Sequence, residues 1–152
     1  MHRSRTSFLW IFIFVVAAFL AAIAQSARGA EDKPFAEHKV VLQISDMDPS
    51  KQTLVLNVAS NLLKAYGPDK VDIEIVAFGP GLRLMFADNV NAGRIEGLGE
   101  QGVRFSACSN TYRKMTSLLG QEPALNARAT RVSAGVVRIL ELVDQGYVLI
   151  KP

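Results

Sequence analysis

The sequence predicts an α/β protein with a mostly parallel sheet of five strands and helices on both of its faces. Two observations and one general rule predict this class. Short β-rich apolar runs alternate along the chain with stretches whose apolar residues recur every three to four positions. Glycines or Gly-Pro pairs stand at most of the junctions between them. Strands that are linked through helices pair in parallel, and the linking helices pack on the sheet.

The first part of the domain predicts two strands around one amphipathic helix. Residues 40–44 are a β-rich run, and the stretch after them carries an apolar face at helical spacing. Asp48 or Ser50 suits the N-cap of this helix, and Gly67 ends it. Residues 71–78 predict the second strand, which alternates polar and apolar side chains at first and then becomes continuously apolar.

The middle of the domain predicts mostly irregular structure. The glycines Gly79 and Gly81 break the second strand, and one or two helical turns are expected at residues 82–86. Residues 89–100 are polar and hold three glycines, which predicts a loop with a short helix around residues 94–98. No phosphate-binding glycine motif occurs here, so a turn with positive φ explains the two glycines best.

Two further strand–helix units complete the domain. Residues 103–107 predict a short third strand with Cys108 at its end. Asn110 or Ser109 is expected to cap a helix over residues 111–119. The remaining elements are a weak strand at residues 127–132, a helix at residues 134–145 that Ser133 is expected to cap and Gly146 to end, and a last strand at residues 147–150.

The first 24 residues predict a signal peptide. Arg3 and Arg5 precede an unbroken apolar run over residues 8–24, and the run ends in the small-x-small pattern that a signal peptidase recognises, with cleavage after Ala24. Ala24-Gln25-Ser26 is a second candidate for the same pattern. An uncleaved membrane anchor is the alternative, although the run falls just short of a comfortable span. Because no adjacent arginine pair occurs, Sec-type export to the periplasm or another extracytoplasmic space is favoured.

Behind the signal peptide the composition predicts one soluble domain. Residues 25–37 are polar and predict a flexible lead-in to a domain over residues 38–152. Two of the 17 basic residues lie in the signal peptide, so the remainder nearly balances the 14 acidic residues and gives no basic footprint for nucleic acid. A single cysteine forms no disulfide within the chain, and two histidines without ligand spacing argue against a zinc site. The domain is expected to need no cofactor or metal and to leave the membrane after cleavage.

Cys108 is the strongest candidate for a chemically active residue. It lies where the third strand passes into a helix, and unpaired N–H groups and the helix dipole favour a negative charge there. Thiolates at helix N-termini have a lowered pKa and are the reactive form of cysteine. Arg104 and Arg113 are near in sequence and are expected to add positive potential. The alternative is that Cys108 is a small, buried and inert hydrophobic residue.

The loops after the strands supply the other candidate residues, because ligands of parallel sheets bind beyond the carboxyl ends of the strands. Asp46 and Asp48 also suit acid–base chemistry, but helix capping explains them more simply. The candidates for shaping a site around Cys108 are Ser45, Asp46, Gly79, Gly81, Ser109, Asn110, Thr111, Ser133 and Gly135.

Several segments together resemble the DsrE/DsrF-like family, and most closely its small stand-alone, exported members. The matching segments are Ser45-Asp46 with Pro49, residues 75–81, Asp88, residues 102–111, residues 134–137 and the ending at residues 145–152. The resemblance covers residues 38–152. It implies a three-layer α/β/α fold with a five-stranded parallel sheet and assembly into homo- or hetero-oligomers, and apolar helix faces independently favour a homo-oligomer.

The resemblance also implies a function for Cys108. Characterised relatives carry sulfane sulfur as a persulfide on a cysteine after the third strand, and Cys108 matches that position. In this interpretation Cys108 is the carrier, Asn110 steadies its thiolate, and Ser45 and Asp46 shape the rim. Without a second cysteine, the sulfur donor or acceptor must be another protein or a small thiol.

As a sulfur carrier the protein would be sulfurtransferase-like. A second function is also open. The domain would then be a non-catalytic module that binds a small ligand or assembles into oligomers, with Cys108 inert and buried. Reactivity of Cys108 towards a thiol reagent separates the two interpretations.

Overall fold

In a computed structural model of the protein, the described residues are Lys33 and residues 36–152. The predicted signal peptide, residues 1–24, lies outside them, as does most of the lead-in at residues 25–37. Lys33 of the lead-in donates its backbone N–H to Asp72 Oδ2 at 3.0 Å. Within the described part of the chain no helix is both long and apolar enough to cross a membrane.

The described residues form a five-stranded parallel sheet with helices on both faces, which confirms the predicted three-layer α/β/α class. The strands lie in the order β4-β3-β2-β1-β5. In chain order the elements are β1 His38–Ile44, α1 Pro49–Tyr66, β2 Val71–Ala77, a 3₁₀ helix Gly79–Met85, α2 Ala92–Glu100, β3 Arg104–Cys108, α3 Ser109–Leu119, β4 Ala129–Val132, α4 Gly135–Asp144 and β5 Val148–Ile150.

The strand order explains how the helices divide between the two faces. From β1 the chain moves outwards through β2 and β3 to β4, and then crosses back to β5 on the other side of β1. Because crossovers between parallel strands are right-handed, this reversal puts α4 on the face opposite α1, α2 and α3. Two cores follow from it. The larger lies under α1–α3, and the smaller lies under α4 and contains Val41, Val76, Ile139, Leu142 and Tyr147.

The helix caps agree with the sequence at α1 and differ from it at α3 and α4. Asp48 is the N-cap of α1 and accepts a hydrogen bond from the Ser50 N–H at 2.7 Å. The predicted caps Ser109, Asn110 and Ser133 are wrong, because the N-cap positions are Cys108 in α3 and Ala134 in α4. The physical reason is that the first N–H groups of α3 and α4 point towards the Cys108 sulfur instead.

At residues 89–100 the helix is longer than the short one expected around residues 94–98. Residues Ala92–Glu100 form α2, a nine-residue helix, in spite of three glycines. Ile95 and Leu98 are buried against the larger core, and this packing outweighs the roughly 1 kcal/mol that each glycine costs in a helix. The turns expected at residues 82–86 are part of the 3₁₀ helix, which begins earlier, at Gly79.

Candidate functional site

The candidate site lies at the carboxyl edge of the sheet, where the loops after β2, β3 and β4 meet. Cys108 is the last residue of β3 and directly precedes α3. It is a free cysteine, and the residue is only 5% exposed. Because β3 ends at Cys108 and α3 begins directly after it, the sulfur lies at the sheet edge, near the first turns of α3 and α4.

Two helix N-termini direct hydrogen-bond donors at the Cys108 sulfur. From α3 come the Thr111 hydroxyl and the backbone N–H groups of Thr111 and Asn110, and from α4 comes the N–H of Gly135. Burial raises the pKa of the Cys108 thiol, but these donors stabilise the thiolate more strongly, so the pKa lies below its ordinary value. The arrangement therefore favours the nucleophilic form of cysteine.

Gly79 orients the Thr111 hydroxyl. The Gly79 N–H donates to Thr111 Oγ1 at 3.0 Å, which leaves the hydroxyl proton available for the Cys108 sulfur. Gly79 has a φ of 53°, in the left-handed region that favours glycine. The turn after β2 thus contributes to the thiolate site through Thr111.

Gly135 and Gly81 permit close approaches around the same edge. A Cβ on Gly135 would lie 3.0 Å from Phe78 Cβ and Cδ1, so any other residue would push Phe78 or the first turn of α4 aside. A Cβ on Gly81 would lie 2.6 Å from the Ile44 carbonyl oxygen. With glycine at this position, the Gly81 N–H donates to the Ser45 carbonyl oxygen at 3.0 Å. Ser45 therefore shapes the site through its backbone.

The other predicted site residues have different partners. The Asn110 side chain accepts a hydrogen bond from Arg113, so Asn110 contributes its backbone N–H to the sulfur and not its amide. Ser109 Oγ accepts from Arg131 Nε at 3.4 Å. Asp46 forms an ion pair with Lys51 at 3.4 Å. Ser133 is exposed and does not cap α4.

Arg104 and Arg113, which were expected to add positive potential, do not contribute to the lowered pKa of Cys108. Arg113 is engaged with Asn110, and Arg104 is buried on the sheet face under α4. There Arg104 forms ion pairs with Asp72 at 2.8 Å and with Glu74 at 3.0 Å. The backbone donors and the Thr111 hydroxyl, and not a cationic side chain, lower the pKa of Cys108.

Arg104 belongs to a buried ion cluster that the sequence analysis missed, formed by Asp72, Glu74, Arg104, Arg138 and Tyr147. Glu74 accepts hydrogen bonds from both Arg138 Nε at 2.8 Å and Arg138 Nη2 at 2.7 Å. Burial disfavours the Glu74 carboxylate, but the bonds from Arg138 and Ser106 and the charge of Arg104 hold its pKa below the ordinary value. Burial and the Asp72 carboxylate raise the pKa of Tyr147 to about 12. The cluster fastens α4 to β2 and β3.

A groove of about 330 Å³ opens beside the thiolate site and was also missed. Its walls come from the loop after β1, the 3₁₀ helix and α3. They are lined by Met47, Gly79, Pro80, Arg83, Thr111, Lys114, Met115, Leu118 and Leu119. Thr111 lines the groove and also donates to the Cys108 sulfur, so it connects the two sites. In the described part of the chain, no group of three or more His, Cys, Asp or Glu residues gathers as a metal site.

Comparisons with known proteins identify a relative of unknown function. No family model matches the chain. No curated protein matches it either. A solved structure, the protein of unknown function MTH1491 from Methanobacterium thermoautotrophicum, has 33% sequence identity and a TM-score of 0.68. The alignment covers 76% of this chain and 99% of MTH1491. The chain therefore belongs to the same family as MTH1491.

Proposed function

We propose that the protein is a sulfur carrier of the DsrE/DsrF-like kind, in which Cys108 holds sulfane sulfur as a persulfide. The observation that carries the proposal is the convergence of two helix N-termini and the Thr111 hydroxyl on the Cys108 sulfur. Such a site stabilises a negative sulfur, and a persulfide anion is also a negative sulfur species. The sequence resemblance around residues 102–111 supports the same function.

The transfer needs no redox partner. The Cys108 thiolate attacks the terminal sulfur of a donor R–S–SH; the bond from Cys108 Sγ to that sulfur forms as the donor's S–S bond breaks. The donor leaves as the thiolate RS⁻ with the electron pair of the broken bond, and the proton stays on the transferred sulfur. An acceptor thiolate then attacks the same sulfur and releases the Cys108 thiolate. Sulfur is exchanged and the number of electrons is conserved.

A cyanide assay tests this function. The protein is loaded with inorganic polysulfide, separated from it, and treated with cyanide, which removes sulfane sulfur as thiocyanate. We expect one thiocyanate per chain for the wild type and none for Cys108→Ser. Equal thiocyanate from both proteins would contradict the proposal.

The alternative is a non-catalytic binding or assembly module in which Cys108 is inert. The low exposure of Cys108 favours it. Iodoacetamide labelling of the folded protein at mildly acidic pH separates the two functions. Labelling without denaturant is expected for the carrier, whereas labelling only after unfolding would establish the inert module.

We also propose that the protein assembles as a homo-oligomer through the α4/β5 surface. This surface consists of apolar side chains of α4 and of the α4-facing side of β5 that are 40–59% exposed: Val136, Val137, Leu140, Val143 and Leu149. Apolar patches of this kind are rare on monomeric proteins, and a second copy would cover them with a matching apolar patch. Sedimentation velocity at micromolar concentration tests it: a dimer or trimer is expected, and a clean monomer would refute the proposal.

Export is the remaining part of the proposed function. The apolar run over residues 8–24 and the small residues at its end support Sec-type export to the periplasm or a similar space. N-terminal sequencing of the extracytoplasmic protein is expected to begin between residues 25 and 31. A protein that retains Met1 in the membrane fraction would show an anchor instead.

A further inference from the structure

The groove beside Cys108 has the features of a binding site for a small amphipathic anion. We infer that it binds the body of a low-molecular-weight organic persulfide that carries a carboxylate, and that this is the sulfur donor of Cys108. The inference rests on the proposed function, since it names the class of donor. Three observations carry it: the apolar walls, two cations at the rim, and the shared Thr111.

The walls of the groove are apolar and exposed to solvent. Met47, in the loop after β1, is 60% exposed, and Leu118 and Leu119 of α3 are 75% and 49% exposed. Exposed apolar side chains that gather in a concavity indicate a surface that a ligand covers. At roughly 30 Å³ per water-sized group, a volume of about 330 Å³ accommodates about ten non-hydrogen atoms. That size fits a small organic molecule with an apolar body.

Two cations define the charge of this ligand. Arg83 comes from the 3₁₀ helix and Lys114 from α3, and both line the groove. Among the described residues neither forms an ion pair with a carboxylate. No acidic side chain lines the groove. A carboxylate on the ligand would therefore find complementary charge, because arginine and lysine both donate well to carboxylate oxygens.

Thr111 connects the groove with the chemistry. It lines the groove, and its hydroxyl and N–H both donate to the Cys108 sulfur. A ligand atom that contacts Thr111 from the groove is thus separated from the nucleophile by a single side chain. Cys108 itself does not line the groove, so a persulfide held there with its sulfur end at Thr111 meets the Cys108 thiolate only when the Thr111 side chain rotates aside. When the Cys108 thiolate takes up the terminal sulfur, the thiolate RS⁻ is the leaving group and stays in the groove.

A matched pair of donors tests the inference. The persulfide of 4-(mercaptomethyl)benzoic acid carries the carboxylate, and the persulfide of benzyl mercaptan lacks it. The rate of Cys108 persulfidation is measured by mass for the wild type, for Arg83→Gln/Lys114→Gln, and for the charge-matched control Lys64→Gln/Lys151→Gln. Lys64 and Lys151 are exposed cations that do not line the groove.

We expect the groove variant to slow the carboxylated donor about three- to tenfold, the range for two exposed charge pairs, and to leave the uncharged donor within twofold. The control variant is expected to leave both donors unchanged. Equal losses with the two donors, or the same loss in the control, would overturn the inference while the carrier function stands. Preference for a protein persulfide, with no charge effect on small donors, would also overturn it.

A second measurement keeps the inference testable if no donor modifies Cys108. The thioether 4-(methylsulfanylmethyl)benzoate cannot transfer sulfur and serves as a binding probe. We expect saturable binding to the wild type by NMR titration, with shifts at Met115 and Leu118, and a weaker affinity for Arg83→Gln/Lys114→Gln. Binding with this pattern and no persulfidation would refute the proposed function alone. No binding, or equal binding by both proteins, would refute the inference about the groove.

Discussion

The Thr111 hydroxyl should set the reactivity of Cys108, and Thr111→Val tests this directly. The substitution keeps the shape of the side chain and the backbone N–H of residue 111 but removes the hydroxyl that donates to the sulfur. A hydrogen bond to a charged group contributes roughly 1.5–3 kcal/mol, which corresponds to about a tenfold or larger change in an equilibrium. We therefore expect the pKa of Cys108 to rise and the thiolate fraction below that pKa to fall at least about tenfold.

The assay is the pH dependence of iodoacetamide alkylation, followed by mass. The rate is expected to fall in Thr111→Val at acidic and neutral pH and to reach the wild-type plateau at high pH, where the thiol is ionised in both proteins. The shared plateau separates a change of pKa from a change of access. Thr116→Val is the matched control, because the Thr116 hydroxyl is buried in the same helix without a hydrogen-bond partner in the described structure. Superimposable profiles for Thr111→Val and the wild type, or equal shifts in the two variants, would refute the reasoning.

Three further predictions concern the support of this site. Gly135→Ala puts a Cβ 3.0 Å from Phe78 and should move the first N–H of α4 away from the sulfur, which raises the pKa of Cys108 in alkylation profiles; an unchanged profile would argue against a role for α4. Glu74→Gln leaves the buried arginines undercompensated and should reduce the free energy of unfolding by about 3 kcal/mol in urea titrations at neutral pH. Because the fold lowers the pKa of Glu74, its contribution to the free energy of unfolding is present above the ordinary value of 4.5 and is lost as the pH falls through the folded pKa. The stabilities of wild type and variant should therefore converge in acid. A stability difference that stays constant with pH would contradict this. Leu140→Asp should dissociate the oligomer in sedimentation velocity, whereas Leu54→Asp, at another exposed apolar position on α1, should not; dissociation by both would contradict assembly through the α4/β5 surface.

The five strands could be predicted from the sequence alone, because each is a short β-rich run between glycines or polar loops. The sequence also predicted the position of Cys108, since the end of β3 is clear in the pattern. The caps of α3 and α4 were mispredicted for a physical reason. Residues such as Ser109 and Ser133 suit N-caps, but the first N–H groups of both helices are directed at the thiol, which only the tertiary fold brings between them.

The buried ion cluster and the groove were not predicted, for different reasons. Asp72 and Glu74 alternate on β2, and a central strand that is covered on both faces must pair such charges, so this signal was present but was not used. Their partners Arg104 and Arg138 are 30–64 positions away: the parallel register of β2 and β3 brings Arg104 to Glu74, and the packing of α4 on the sheet brings Arg138. The groove joins segments that have no common motif, so no local pattern indicates it.

Intact mass of the mature protein after treatment with a sulfane sulfur donor tests the central claim most directly. The donor is removed under non-reducing conditions, and the wild type is compared with Cys108→Ser. The account predicts a gain of one sulfur atom on the folded wild type, located at Cys108 by peptide mapping, which is lost when an acceptor thiol is added. Cys108→Ser should keep its mass. A wild-type protein that keeps its unmodified mass with every donor, while Cys108 is modified after unfolding, would contradict the account.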